Sequence, residues 1–132
     1  MKRMLTLLLA AAVLGGCAMD APGTGWSRAS DLSVYGAMHV YARAAADAEM
    51  LCAGFTPAAT ADRWRRDFGA RHEAVTAALE RRYGGEKLAR ARAVWAPSVE
   101  CAELPDPGWR WRYARLLRLL ETRLLQAREG ES

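Results

Sequence analysis

The stretch PGWRWRYARLLRLLETRLLQA, residues 107–127, decides the fold. At about 100° per residue, Trp109, Tyr113, Leu116, Leu117, Leu120 and Leu124 fall within an arc of about 100°. A strand, with its period of two, would scatter the same six side chains over both faces. The stretch therefore reads as an amphipathic helix, started by Asp106 as N-cap and Pro107 at the first helical position. Arg110, Arg112, Arg115, Arg118 and Arg123 spread around the remainder and are expected to solvate the outside. Trp111 projects about 200° from Trp109, among those arginines, and precedes Arg115 by four residues, a spacing that permits a cation–π contact.

Working upstream, three more segments carry the same periodicity. The first begins after Ser30-Asp31, either of which can cap it, and runs to about Cys52. Val34, Met38, Tyr41, Ala45, Ala48 and Cys52 alternate steps of four and three along one stripe, so Cys52 is expected on the buried side. Alanines at 42, 44, 45, 46 and 48 keep this helix slim. Thr56-Pro57 starts a second helix, which runs to about Tyr83 and ends at Gly84-Gly85. Trp64, Phe68, Val75 and Leu79 form its core face, and His72, one turn after Phe68, is expected as a partly buried hydrogen-bonding residue. A short third helix, about Glu86 to Ala96, carries Leu88, Ala91 and Trp95 inward and is stopped by Pro97. The fold expected is all-α, a four-helix bundle-like domain of three longer helices and one short. No strand-like alternation, repeat, low-complexity stretch or glycine-rich phosphate loop interrupts it.

The beginning of the chain has a different character. Met1-Lys2-Arg3 precedes eleven residues, Met4 to Leu14, that hold no charge and only Thr6 as a polar side chain. As a helix these rise about 16 Å, half of a hydrocarbon core, which suits an export signal rather than a membrane span. Leu14-Gly15-Gly16-Cys17 resembles the lipobox of bacterial lipoproteins. The resemblance implies cleavage before Cys17 and lipidation of that residue, and Ala18 in the next position implies outer-membrane sorting, facing the periplasm. An ordinary secretory signal cut nearby is the rival reading. The domain boundaries expected are a removed leader at 1–16, a lipidated Cys17 with a flexible tether at 17–30, and the helical domain at 31–132. The small, turn-prone residues from Ala18 to Ser30 support the tether. Trp26 within it can rest either on the domain or at the lipid interface.

Of the 19 basic side chains, Lys2 and Arg3 leave with the leader, and the remaining 17 face 15 acidic ones. So small an excess gives nucleic acid no support as a partner. With Cys17 acylated, Cys52 and Cys101 are left, and an oxidising compartment favours a disulfide between them. That bridge would close a 49-residue loop and pin the linker at 97–107 to the end of the first helix. The competing chemistry uses Cys52 or Cys101 as a nucleophile with His39 or His72 as base. The Cys and His spacings match neither a zinc site nor a haem-attachment motif, and no cofactor is implied.

Function is expected to lie in binding rather than catalysis: a lipid-anchored, periplasm-facing binding or chaperone module, with an envelope protein as partner. In size and architecture such a chain is similar to the small helical pilotin lipoproteins. A structural or stress lipoprotein without a discrete ligand is the alternative. The candidate contact residues are Trp111, Arg112, Arg115 and Arg118, and Trp111 admits three readings. It packs against the linker or the third helix, it meets a protein partner, or it sits at the headgroups of an anionic membrane face.

Overall fold

The computed structural model describes residues 25–93, 98–101 and 108–131. The leader, Cys17, tether residues 18–24, the third-helix end with Trp95 and Pro97, and linker residues 102–107 lie outside the described residues. A 3₁₀ turn at Gly25–Arg28 leads into α1 (Asp31–Cys52). Next comes α2, built of Pro57–Trp64, a π turn at Arg65–Gly69 and Ala70–Tyr83. The short α3 (Gly85–Arg92) and the long α4 (Gly108–Glu131) complete an all-α bundle.

Each helix starts or stops for a local reason. Ser30, in extended conformation, accepts from Ser33 N–H, and Thr56 accepts from Ala59 N–H ahead of Pro57. Both oxygens satisfy an amide that the first turn leaves without an intrahelical partner. Gly84, at φ 93°, turns the chain from α2 into α3 through a conformation that side chains with a Cβ rarely adopt. Because Ser30 is the cap, the Asp31 side chain is free to work elsewhere. It accepts from Tyr83 Oη at 2.6 Å and from Arg123 Nη1 at 3.1 Å, tying the start of α1 to the end of α2 and to the second half of α4.

The core lies where α1 and α4 pack along each other, with α2 across them and α3 closing one side. Val34, Tyr35 and Met38 meet Val75 and Leu79, Leu88, and Tyr113, Leu116, Leu117 and Leu120, all buried. Ala44, Ala45 and Ala48 are buried too, as the slimness of α1 suggested. Removing a side chain such as Leu117 or Leu120 to Ala would cost about 2–5 kcal/mol, part lost transfer and part cavity. Cys52 and Cys101 are joined by a disulfide, with Cα atoms 5.3 Å apart.

Four expectations need correction. Cys52 is exposed, as is Leu51 before it. Cys52 has the same azimuth as Val34, but eighteen residues carry it about 27 Å along the axis, past the end of the core. Residues 25–30 belong to the domain rather than the tether, since Trp26 and Ala29 pack on the core. The short helix ends at Arg92, earlier than Pro97 demanded, because proline sets only an outer limit to a helix. Finally, not every arginine of α4 solvates the surface: Arg110 and Arg123 are only 21% exposed and hold partners described below.

Candidate functional site

Two places on the molecule gather chemistry, and they lie on different faces. The larger is a cleft of about 720 Å³ between α1 and the first half of α2. Its walls are apolar, supplied by Val40, Ala42, Ala46 and Met50 of α1 and by Pro57, Ala61 and Trp64 of α2. The π turn contributes Arg65 and Gly69. One extra residue in a turn widens the helix and shifts the phase of everything before it, and such turns recur at functional sites. Gly69 fits this geometry closely, for a Cβ there would stand 3.2 Å from Arg65 Cγ.

The floor of the cleft is a pair of histidines. The His39 and His72 rings are 5.0 Å apart, edge to face, and His39 also meets the Tyr35 ring at 4.7 Å. His72 Nδ1 lies 2.7 Å from Tyr113 Oη, and Tyr35 Oη shares a hydrogen bond of 3.1 Å with Thr76 Oγ1. Burial raises the Tyr113 pKa, so the phenol keeps its proton in its hydrogen bond with His72 Nδ1. Burial, together with the nearby Arg92 charge, lowers His72. His39 is pushed down to about 4 by burial first, then by His72 and Arg92. Both rings are therefore neutral at pH 7. His39 Nε2 and Thr60 Oγ1 are buried and have no hydrogen-bond partner among the described residues, and both residues line this cleft. Buried polar atoms are seldom left unpaired, since each costs about 1–3 kcal/mol. Arg43 and Arg92 also line the cleft and form no ion pair among the described residues, whereas Arg65 is bound to Asp62 at 3.0 Å.

The second place is the exposed side of α4. Trp111 is 47% exposed, and the Arg115 guanidinium carbon lies 4.7 Å from its ring centre. Trp111, Arg115 and Arg118 line one groove with Trp26, Leu119 and Thr122. Trp111 shares this groove with Trp26 of the 3₁₀ turn, while linker residues 102–107, one of the packing partners expected for it, lie outside the described residues. Arg112 belongs elsewhere: its guanidinium sits 5.1 Å over Trp109 and 5.9 Å over Tyr41. One residue is about 100° of rotation, enough to move Arg112 to the α1 side of the helix.

The paired arginines brace both places. Arg110 donates to Glu49 at 2.8 Å and to Asp67, and stacks 5.1 Å over Phe68, which locks the π turn to α1 and α4. Arg123 donates to Asp31 and to the carbonyls of Trp26 and Ser27, both at 3.0 Å, and so fixes the 3₁₀ turn on α4. Cys52 and Cys101, spent in the disulfide, offer no thiol to either histidine. Among the described residues no cluster of three His, Cys, Asp or Glu could hold a metal ion, and no helix is long and apolar enough to cross a membrane.

No family model, curated protein or solved structure matches the chain. The cleft therefore rests on its own geometry. Its residues were within reach of sequence reasoning. Thr60, Trp64 and Phe68 follow at steps of four, as do Phe68 and His72, and His39 is four residues after Tyr35. What the spacing does not contain is the meeting of His39 with His72, which depends on how α1 and α2 cross.

Proposed function

We propose that this chain is a lipid-anchored, periplasm-facing binding module of the bacterial envelope, holding an acidic amphipathic segment of a partner protein in the cleft between α1 and α2. The observation that carries the reading is a cleft of about 720 Å³ in which the apolar wall of Val40, Ala46, Met50, Ala61 and Trp64 stands beside Arg43 and Arg92, neither of them ion-paired among the described residues. That size lies within the ~300–1,000 Å³ of ligand clefts, where a few polar groups orient an apolar guest. An apolar face laid against Met50, Ala46 and Trp64 would bury the groove in the manner of helix-in-groove recognition. Arg43 and Arg92 at the cleft, opposed only by Glu73, favour an acidic guest. The anchor and compartment rest on the leader pattern of residues 1–17, and the Cys52–Cys101 bridge is in keeping with an oxidising compartment.

In-cell photocross-linking tests it. A benzophenone amino acid at Ala46 is expected to capture one envelope protein, while the same group at exposed Arg90 captures none. The adduct should vanish when Arg43 and Arg92 are both changed to Glu. An adduct pattern identical at positions 46 and 90, or one indifferent to the charge reversal, would overturn the assignment.

A further inference from the structure

We infer that the Trp26–Trp111 face of α4 is a docking surface for an anionic phospholipid bilayer, so that the domain lies on the membrane in one fixed orientation. The inference rests on acylation at Cys17 as proposed above, and adds to it a second, independent contact with lipid.

Three observations converge. The first is chemistry: an exposed Trp111 with Arg115 stacked on it shares a groove of about 510 Å³ with Trp26, Leu119 and Arg118. Tryptophan favours the headgroup layer, where one side of the ring is wet and the other dry, and arginine meets phosphate there. The second is charge. Among the described residues no carboxylate lies within ion-pair distance of Arg115 or Arg118, and Glu121, one turn on, is taken by Arg71 of α2 at 2.6 Å. The face is thus left cationic although the chain as a whole is close to balanced.

The third observation is reach. Arg123 holds the backbone of Trp26 and Ser27, so the chain enters the domain on this face and at a fixed point. Seven residues, and so eight Cα-to-Cα steps, separate Cys17 from Gly25, at most about 28 Å when fully extended and about 16 Å on average as a flexible coil. The 24 residues of α4 span about 36 Å as a helix. A tether this short keeps the point of entry, and the face on which it lies, close to the lipid.

The test uses the full mature chain extracted from membranes, with intact mass reporting its acyl chains. It is reconstituted in phosphatidylcholine vesicles with or without phosphatidylglycerol, and tryptophan fluorescence is quenched with brominated phosphatidylcholine. Quenching is expected to be stronger on the anionic vesicles, to fall in Trp111→Phe and to be lost in the Trp26→Phe/Trp111→Phe pair. Replacing Arg115 and Arg118 by Gln should remove the anionic preference, at about fivefold in surface affinity per charge. Unaltered melting by circular dichroism separates these losses from unfolding. An acylated protein whose quenching ignores Trp111 or the lipid charge would overturn the docking face while leaving the anchor intact. If the mass shows no acyl chain, the anchor reading fails by itself. Sedimentation of the unacylated chain with phosphatidylglycerol vesicles then judges the face: Trp111-dependent binding upholds it, and no binding overturns it. A Trp111 shielded from lipid but cross-linked to a protein would also overturn it, making this face a protein interface.

Discussion

Acidifying the solution should expose the histidine pair as a weak point. His39 titrates at about 4 in the fold, against 6.5 in the unfolded chain. Between those values the unfolded chain takes up a proton that the folded one refuses. Stability is therefore intact above pH 6.5 and lost as the pH falls towards 4. Taken at face value the linkage would reach about 3 kcal/mol by pH 4, but the ring is partly open to water, and screening brings it nearer 1–2 kcal/mol. That corresponds to a fall of roughly 5–10 °C in melting temperature for a domain of about 100 residues. Carboxylates also titrate in this range, so the assay compares wild type with His39→Gln, by urea unfolding at half-unit steps from pH 7 to 4. The wild-type curve should drop more steeply, and the difference between the two should grow steadily below pH 6.5. A difference that stays flat over the whole range would refute the account of His39 as a neutral buried ring.

Three other outcomes follow from the same geometry. Tyr113→Phe leaves His72 Nδ1 without its hydrogen-bond partner and should cost about 1–3 kcal/mol in urea unfolding, far more than removal of an exposed hydroxyl. Arg123→Ala should free the 3₁₀ turn, seen as faster amide exchange at residues 25–29 well before global unfolding, with a stability loss of about 1.5–3 kcal/mol for the charged hydrogen bonds. Native protein should take up no maleimide at Cys52 or Cys101 until it is reduced, and Cys52→Ser/Cys101→Ser should lose about 4 kcal/mol if loop entropy governs the bridge.

The helices were legible because each is punctuated by its own residues. Ser30, Thr56-Pro57 and Gly84 act locally, through amides and dihedral angles a few positions away, and local rules read them. The α4 stripe was equally plain: Tyr113, Leu116, Leu117 and Leu120 are all buried. Legibility failed where a residue's fate depends on the length of its neighbours or the crossing of helices. The azimuth of Cys52 was right and its burial was not. Arg110 and Arg123 read as surface charges because their carboxylate partners, Glu49 with Asp67 and Asp31, are 43 to 92 residues away in the chain. The π turn at Arg65–Gly69 has no period of its own, and with it the widened side of the cleft stayed hidden. Of the four contact residues read from the sequence, Trp111, Arg115 and Arg118 share a groove, and Arg112 was lost to a rotation of one residue.

The carboxylate at position 31 sets a timetable for assembly. Its two partners arrive 52 and 92 residues later, so the link from the opening of the bundle to α4 cannot form before Arg123 is present. A chain that extends past Tyr83 but stops short of Arg123 holds one of the two fastenings. A truncation between Tyr83 and Arg123 would leave Asp31 held from α2 alone.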